Sequence, residues 1–306
     1  MKIGLVLPLV EGWPPQHTAS YAEIRALAVG AEASGFDSVW LSDHLLFARP
    51  GYPVTGAWEA WTILSAIADA TTRVELGTMV ISIGFRNPAL LAKMAATLDE
   101  VSGGRLILGL GAGSQESDYR PFGFPFEGRF DRFEESLEVL LPLLREGRVR
   151  HVGRWYQVDA PLRPAGPRDG RIPILIAGSG PRMLDLVARH ADTWSPAGFD
   201  GPPHALADRV DGLRERCRAV GRDPTSLGIT AILVTEPAVP IAPAGPASDQ
   251  PSVQSRTALR GDAAALATGF AAWAAAGVDH AVVDLRPATL PAVAVVADAI
   301  RRFRRD

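Results

Sequence analysis

Eight short apolar runs recur along the chain, and each is followed by a stretch with helical spacing. The runs lie at 2–8, 37–41, 73–81, 105–109, 172–177, 192–195, 227–234 and 278–284. The helical stretches lie at 21–34, 58–69, 88–102, 129–146, 181–190, 203–220, 262–276 and 288–304. In the first of these, Tyr21, Ile24, Leu27, Ala28 and Ala31 share a face, Ser20 suits the N-cap, and Gly35 suits the residue past the end. Phe130, Phe133, Leu137, Leu140 and Leu144 form the stripe of the fourth. Trp58 and Trp61 belong to the second. Alternation of this kind predicts a parallel sheet covered by helices. An open doubly wound sheet would carry a glycine fingerprint after its first strand, where this chain has Pro8-Leu9-Val10. The expected class is therefore α/β, a closed (β/α)8 barrel of the TIM type. Its 306 residues suit one barrel with insertions near 110–128, 148–171 and 236–255.

Composition excludes several functions. The net charge of −3 is spread without blocks, so neither nucleic acid nor an anionic membrane is an expected partner. Cys217 is the one cysteine, which rules out an internal disulfide and a cysteine metal cluster and fits a cytoplasmic location. The apolar start, MKIGLVLPLV, is too short for a signal peptide or membrane span and reads as the first strand.

A barrel gathers its strand ends at one face, where the chemistry sits. The second run ends abruptly in Ser42-Asp43-His44, an acid beside an imidazole. Asp43 could orient or charge that ring. No spacing among the histidines suggests a metal, so His44 is either a site residue or a histidine packed under a loop. Glu116, in the long loop after the fourth strand, is either a general acid/base or a solvated carboxylate. Ala177-Gly178-Ser179-Gly180 leads into a helix N-terminus and is either a phosphate cradle or an ordinary tight turn. Trp13, Trp58, Trp61 and Trp194 could line a slot for a planar ligand or fill the core. The eighth strand ends in Asp284 and Arg286. No strand-end lysine offers Schiff-base chemistry.

Longer segments carry a resemblance. They are GAEASGFDSVWLSDHL at 30–45, EAWTILSAIA at 59–68, RVELGTMV at 73–80 and RNPALLAKMAATLDEVSGGRLILGLGAG at 86–113. FGFPFEGRFDRFEESLEVL at 122–140 and IPILIAGSGPRMLDLVARHADTW at 172–194 complete the set. With these the chain resembles the bacterial luciferase-like superfamily of flavin- and deazaflavin-dependent oxidoreductases. The resemblance implies a bulge with a non-prolyl cis peptide at Met79-Val80, supporting the cofactor ring from behind. It implies that Ala177, Gly178, Ser179 and Gly180 hold the cofactor phosphate, that Gly111 and Gly113 border the cofactor, and that Asp43 lies with them. His44 would stand near the ring and assist hydride transfer, with Glu116 as a second catalytic candidate. Some deazaflavin dehydrogenases carry a catalytic glutamate where this chain has Ser114, so the resemblance does not extend to sugar-phosphate oxidation. The implied cofactor is coenzyme F420, with FMN as the alternative. The implied activity is hydride transfer to or from a small organic substrate, in a homodimer. The alternatives are an FMN-dependent monooxygenase served by a separate flavin reductase and a non-catalytic flavin-binding barrel.

Overall fold

The computed structural model describes residues 1–12, 17–48, 53–196, 199–239 and 257–305. Eight parallel strands close on themselves: β1 (Lys2–Val6), β2 (Ser38–Leu41), β3 (Glu75–Thr78), β4 (Leu106–Gly111), β5 (Ile174–Ala177), β6 (Thr193–Ser195), β7 (Gly228–Pro237) and β8 (His280–Leu285). Each pairs with its sequence neighbours, β4 pairs with β5 through Leu175↔Gly109, and β8 closes the ring on β1 through Ile3↔Ala281. Among the described residues eight helices surround them: α1 (Tyr21–Ala33), α2 (Ala60–Ala70), α3 (Pro88–Val101), α4 (Arg129–Glu146), α5 (Pro181–His190), α6 (Pro203–Ala219), α7 (Ala263–Ala275) and α8 (Leu290–Phe303). The expected (β/α)8 barrel is the fold observed. No described helix is long and apolar enough to cross a membrane.

Side chains alternate along each strand between helices and barrel interior. Ile3 and Leu5, Val39 and Leu41, and Ala281 and Val283 join the large core shared with the helices. Trp40, Ile107, Leu175 and Val282 make a second, smaller core inside the barrel. Trp40 is wholly buried there. Its indole fits because the flanking strands offer glycine: a Cβ on Gly77 would lie 2.1 Å from Trp40 Cε3, and one on Gly4 2.6 Å from Nε1. The indole Nε1 donates to Ser38 Oγ at 2.7 Å, which in turn meets His280 Nε2 at 2.7 Å, and the His280 ring stands edge-on to the indole.

At the opposite end from the strand tips, one device recurs. Asp37, Asp192 and Asp279 each immediately precede a strand or its first residues. Each accepts an N–H from the start of a neighbouring strand, at Ile3 (2.7 Å), Ile174 (2.8 Å) and Ile229 (2.8 Å). These carboxylates satisfy backbone donors that the ladder leaves over. Ser20 caps α1 through a reciprocal box with Glu23, and Gly35 takes the left-handed conformation beyond it, as the sequence predicts.

The differences from expectation are local. The third strand does not run to 81: it stops at Thr78, and Ile81–Ser82 pairs with β4 beyond the break. A two-residue ladder joins Leu46–Phe47 to Thr55–Gly56 inside an expected loop. Trp58 precedes α2, lies on the surface and donates through Nε1 to Ala19 O, because Glu59 takes the N-cap. Tyr21 and Phe130 are exposed, so the apolar stripes are narrower than their spacing suggests. The hairpin in the 148–171 excursion is present as Arg148–Val152 paired with Gln157–Pro161. Glu135 on α4 docks it by accepting the N–H groups of Arg154, Trp155 and Tyr156. β7 extends to Pro237 and is joined by Leu259–Gly261, while residues 240–255 of the expected Pro-rich insertion lie outside the described residues.

Two expectations follow from the barrel interior. Gly77→Ala should lower unfolding free energy by about 1–3 kcal/mol in urea titration, since the closed ring cannot yield to the added methyl. Burial also drives the His280 imidazole down from its ordinary 6.5 to about 3. The unfolded chain then binds a proton that the native state refuses, so stability is complete above pH 6.5 and declines as pH falls towards 3. His280→Gln should flatten that acid limb, by up to about 1.4 kcal/mol per pH unit in denaturation series.

Candidate active site

The inner core supports a platform at the strand tips. Val6, Met79, Val80 and Ala177, all half-buried, pack on top of it. The Met79–Val80 peptide is cis, at the place where β3 breaks off. Val80 then rests against a strand with no side chains in its way. A Cβ on Gly111 would lie 2.6 Å from Val80 Cγ2, and one on Gly109 3.2 Å from Val80 Cγ1 and 1.9 Å from Thr78 O. Thr78 Oγ1 secures the same junction through Gly109 O (2.9 Å) and Gly109 N (2.8 Å). On the far side of the mouth, Ile232 of β7 pairs in register with Val282 and alternates with core-facing Ala231 and Leu233. It therefore faces inward, yet is 45% exposed. The mouth is open beside an apolar wall.

His44 stands just past β2, with 26% of its side chain exposed. Its Nδ1 lies 2.8 Å from Asp118 Oδ2, and its ring packs on Phe47 at 4.6 Å. Asp118 is buried, and its other oxygen accepts from Leu45 N and Leu46 N, each at 2.9 Å. The carboxylate that holds His44 is thus not its neighbour Asp43, as the sequence suggests, but one 74 residues away. No sequence signal singles Asp118 out, because only the folded loop brings it to the second strand.

Asp43 points elsewhere. Its side chain is fully covered, and Oδ2 accepts from Ser82 N (3.0 Å) and from Arg86 Nη1 (2.6 Å). Arg86 Nη2 bridges Asp43 Oδ1 (3.0 Å) and Glu59 Oε1 (2.5 Å). Burial pushes the Asp43 carboxyl above its ordinary range, and the guanidinium opposes that rise. Asp43 therefore has no atom to offer a cofactor; it ties the segment after the Met79–Val80 break to β2. Glu116 is a surface residue of the loop that carries Asp118. It opens the 3-10 turn that contains Asp118, but it is 46% exposed and pairs with Arg120 at 2.6 Å. Gly113 does border the mouth loop, yet its missing Cβ leaves room for the Tyr119 phenol, which that atom would meet at 1.9 Å.

The turn after β5 has the form of an anion cradle. Gly178 is buried, with its N–H donated to Ser195 O and its carbonyl accepting Trp194 Nε1 at 2.7 Å. Ser179 and Gly180 are exposed, and Gly180 stands at the N-cap of α5, which opens on Pro181 with no side-chain cap from Gly180. The first-turn N–H groups past Pro181 are of the kind a helix leaves without an intrahelical acceptor. Arg209 and Arg216 line, with Ser179, a groove of about 620 Å³ alongside. Trp61 and Trp194 are core residues, Trp194 also underlying that groove, and Trp13 lies outside the described residues.

These residues fit a flat ring with a phosphate tail. An apolar platform lies at the strand tips, His44 follows the end of β2, and a helix start follows the end of β5. Removing the hidden clamp tests its weight: Asp43→Ala strands the buried Arg86 with one partner and should cost about 3 kcal/mol in chemical denaturation.

A phthiodiolone/phenolphthiodiolone dimycocerosates ketoreductase of Mycobacterium sp. (strain JLS) is 35% identical over 241 residues, covering 71% of this chain and 62% of that protein. The chain thus spans about three fifths of the length of this relative. An F420-dependent glucose-6-phosphate dehydrogenase of Amycolatopsis mediterranei (strain U-32) is 37% identical over 174 residues, covering 54% of this chain and 50% of that one. The fold matches a solved F420-dependent secondary alcohol dehydrogenase, in complex with an F420-acetone adduct, with a TM-score of 0.80 over 99% of both chains at 22% identity. The model of the luciferase-like monooxygenases matches residues 1–239, and the chain belongs to that family.

Proposed function

We propose that the chain is an oxidoreductase that moves hydride between coenzyme F420 and a small organic substrate, interconverting an alcohol and a carbonyl. The observation that carries this reading is His44. Its Nδ1 is held by Asp118, so Nε2 is left as the ring nitrogen with no protein partner among the described residues. His44 lies just past the end of β2, the strand whose Trp40 carries the apolar platform. Relatives that name F420, a ketoreductase among the relatives and an alcohol dehydrogenase among the structures support the cofactor and the substrate type.

When bound, the deazaflavin supplies a two-electron hydride acceptor or donor. The protein's part is positional. Met79 and Val80 would support the ring, with Gly109 and Gly111 keeping the neighbouring strand clear behind them. The N–H groups in the first turn of α5, past Gly180 and Pro181, would hold the phosphate. His44 Nε2 would take the hydroxyl proton as an alcohol is oxidised, or return it to the carbonyl oxygen in reverse. The apolar mouth would exclude water from that transfer. FMN is the competing cofactor, and it would make the chain a monooxygenase fed by a separate reductase.

Fluorescence titration with F420 and FMN, each oxidised and reduced, separates the two. The expected result is micromolar binding of F420 in preference to FMN. Binding of FMN alone removes the F420 reading, and binding of neither removes both. His44→Gln should slow turnover about 10²-fold while changing cofactor affinity less than about threefold. Equal losses in both would make His44 a structural residue.

A further inference from the structure

The residues around His44 also join three loops that would otherwise be independent. Asp118 spans two of them, holding the His44 ring with one oxygen and the Leu45 and Leu46 N–H groups with the other. Because Oδ1 already accepts two donors, the carboxylate is the acceptor at Oδ2 as well, and His44 Nδ1 is the donor. The next residue, Tyr119, fastens the same turn to the third loop. Its hydroxyl bonds Ser82 Oγ, just past the Met79–Val80 break, and donates to Ala112 O at 3.2 Å. Phe85 and Phe126 pack on its ring at 4.7 and 5.2 Å. Gly84 and Gly113 leave the phenol its space.

We propose that Asp118 is a positioning residue on a latch: docking of the 112–128 loop through Tyr119 is what holds the His44 ring with its proton on Nδ1 and Nε2 turned to the mouth. The inference rests on the oxidoreductase reading only for what the proton transfer serves. Its physical content is that one carboxylate carries both loop docking and ring orientation, so neither persists without the other. A loop that merely covered the site would leave the tautomer of His44 unchanged when undocked.

Nitrogen-15 NMR of the histidine rings in the full, cofactor-free chain tests this, with the His44 signal among the six histidines assigned from His44→Gln. The wild type should show the Nδ1–H tautomer. Asp118→Asn and Asp118→Ala should move the tautomer ratio towards Nε2–H by about tenfold, the expected effect of losing one charge-assisted hydrogen bond. Tyr119→Phe, which leaves Asp118 in place, should shift the same signal part of the way, with a cooperative melt confirming that the chain is folded. In steady state Asp118→Asn should lower kcat about 10²-fold, with KM and cofactor affinity within about threefold. A wild-type Nε2–H tautomer overturns the proposal, as does an unchanged signal in both Asp118 variants. An unchanged signal in Tyr119→Phe overturns the latch. Failure to bind either cofactor removes the oxidoreductase reading, while the tautomer measurement still decides this one.

Discussion

The indole of Trp40 sets the geometry on which the rest of the molecule is built. A barrel of eight strands has an interior just wide enough for side chains, and it must be filled. One large ring does most of that filling here, and it can do so because Gly4 and Gly77 offer no Cβ where the ring passes. Ser38 Oγ accepts its N–H and meets His280 Nε2 in turn, so the buried indole nitrogen has a partner. Ile107, Leu175 and Val282 complete the layer, and Val6, Met79, Val80 and Ala177 rest on it. The level of the platform is thus decided by a residue with no direct part in chemistry.

Above that layer the strand tips are joined by side chains, and below it by backbone caps. Asp37, Asp192 and Asp279 perform the lower task with short bonds to strand N–H groups. Asp43 and Asp118 perform the upper one, and the two differ in what they hold. Asp43 faces a guanidinium and is sealed from solvent; Asp118 faces an imidazole that reaches the mouth. Adjacent residues, Asp43 and His44, therefore serve opposite sides of the same strand end, one for the framework and one for the opening.

The fold was largely legible because period, punctuation and length all agreed. Ser20, Gly35 and Pro88 mark helix ends where they stand. The break in β3 and its cis peptide lay within reach of family resemblance but not of periodicity, since VELGTMVI reads as one continuous strand. The positions of His44 and the Gly-Ser-Gly turn, just past the ends of β2 and β5, were legible. The second half of the site was not. Glu116 and Asp118 lie two residues apart in one loop, and their roles depend on which face of a single 3-10 turn each occupies. Asp43 misleads for a related reason: adjacency in sequence places consecutive side chains on opposite faces of an extended segment.

Ile232 gives the open mouth a thermodynamic character. An isoleucine turned into a barrel and still 45% exposed keeps apolar surface in water. Drying such surface is worth roughly 25 cal/mol per Å². The free protein therefore holds part of its ligand's affinity in advance, as solvent waiting to be released. A substrate that spreads an apolar body along β7 would collect that contribution whatever its reactive group. Apolar contact made there would carry a negative heat-capacity change.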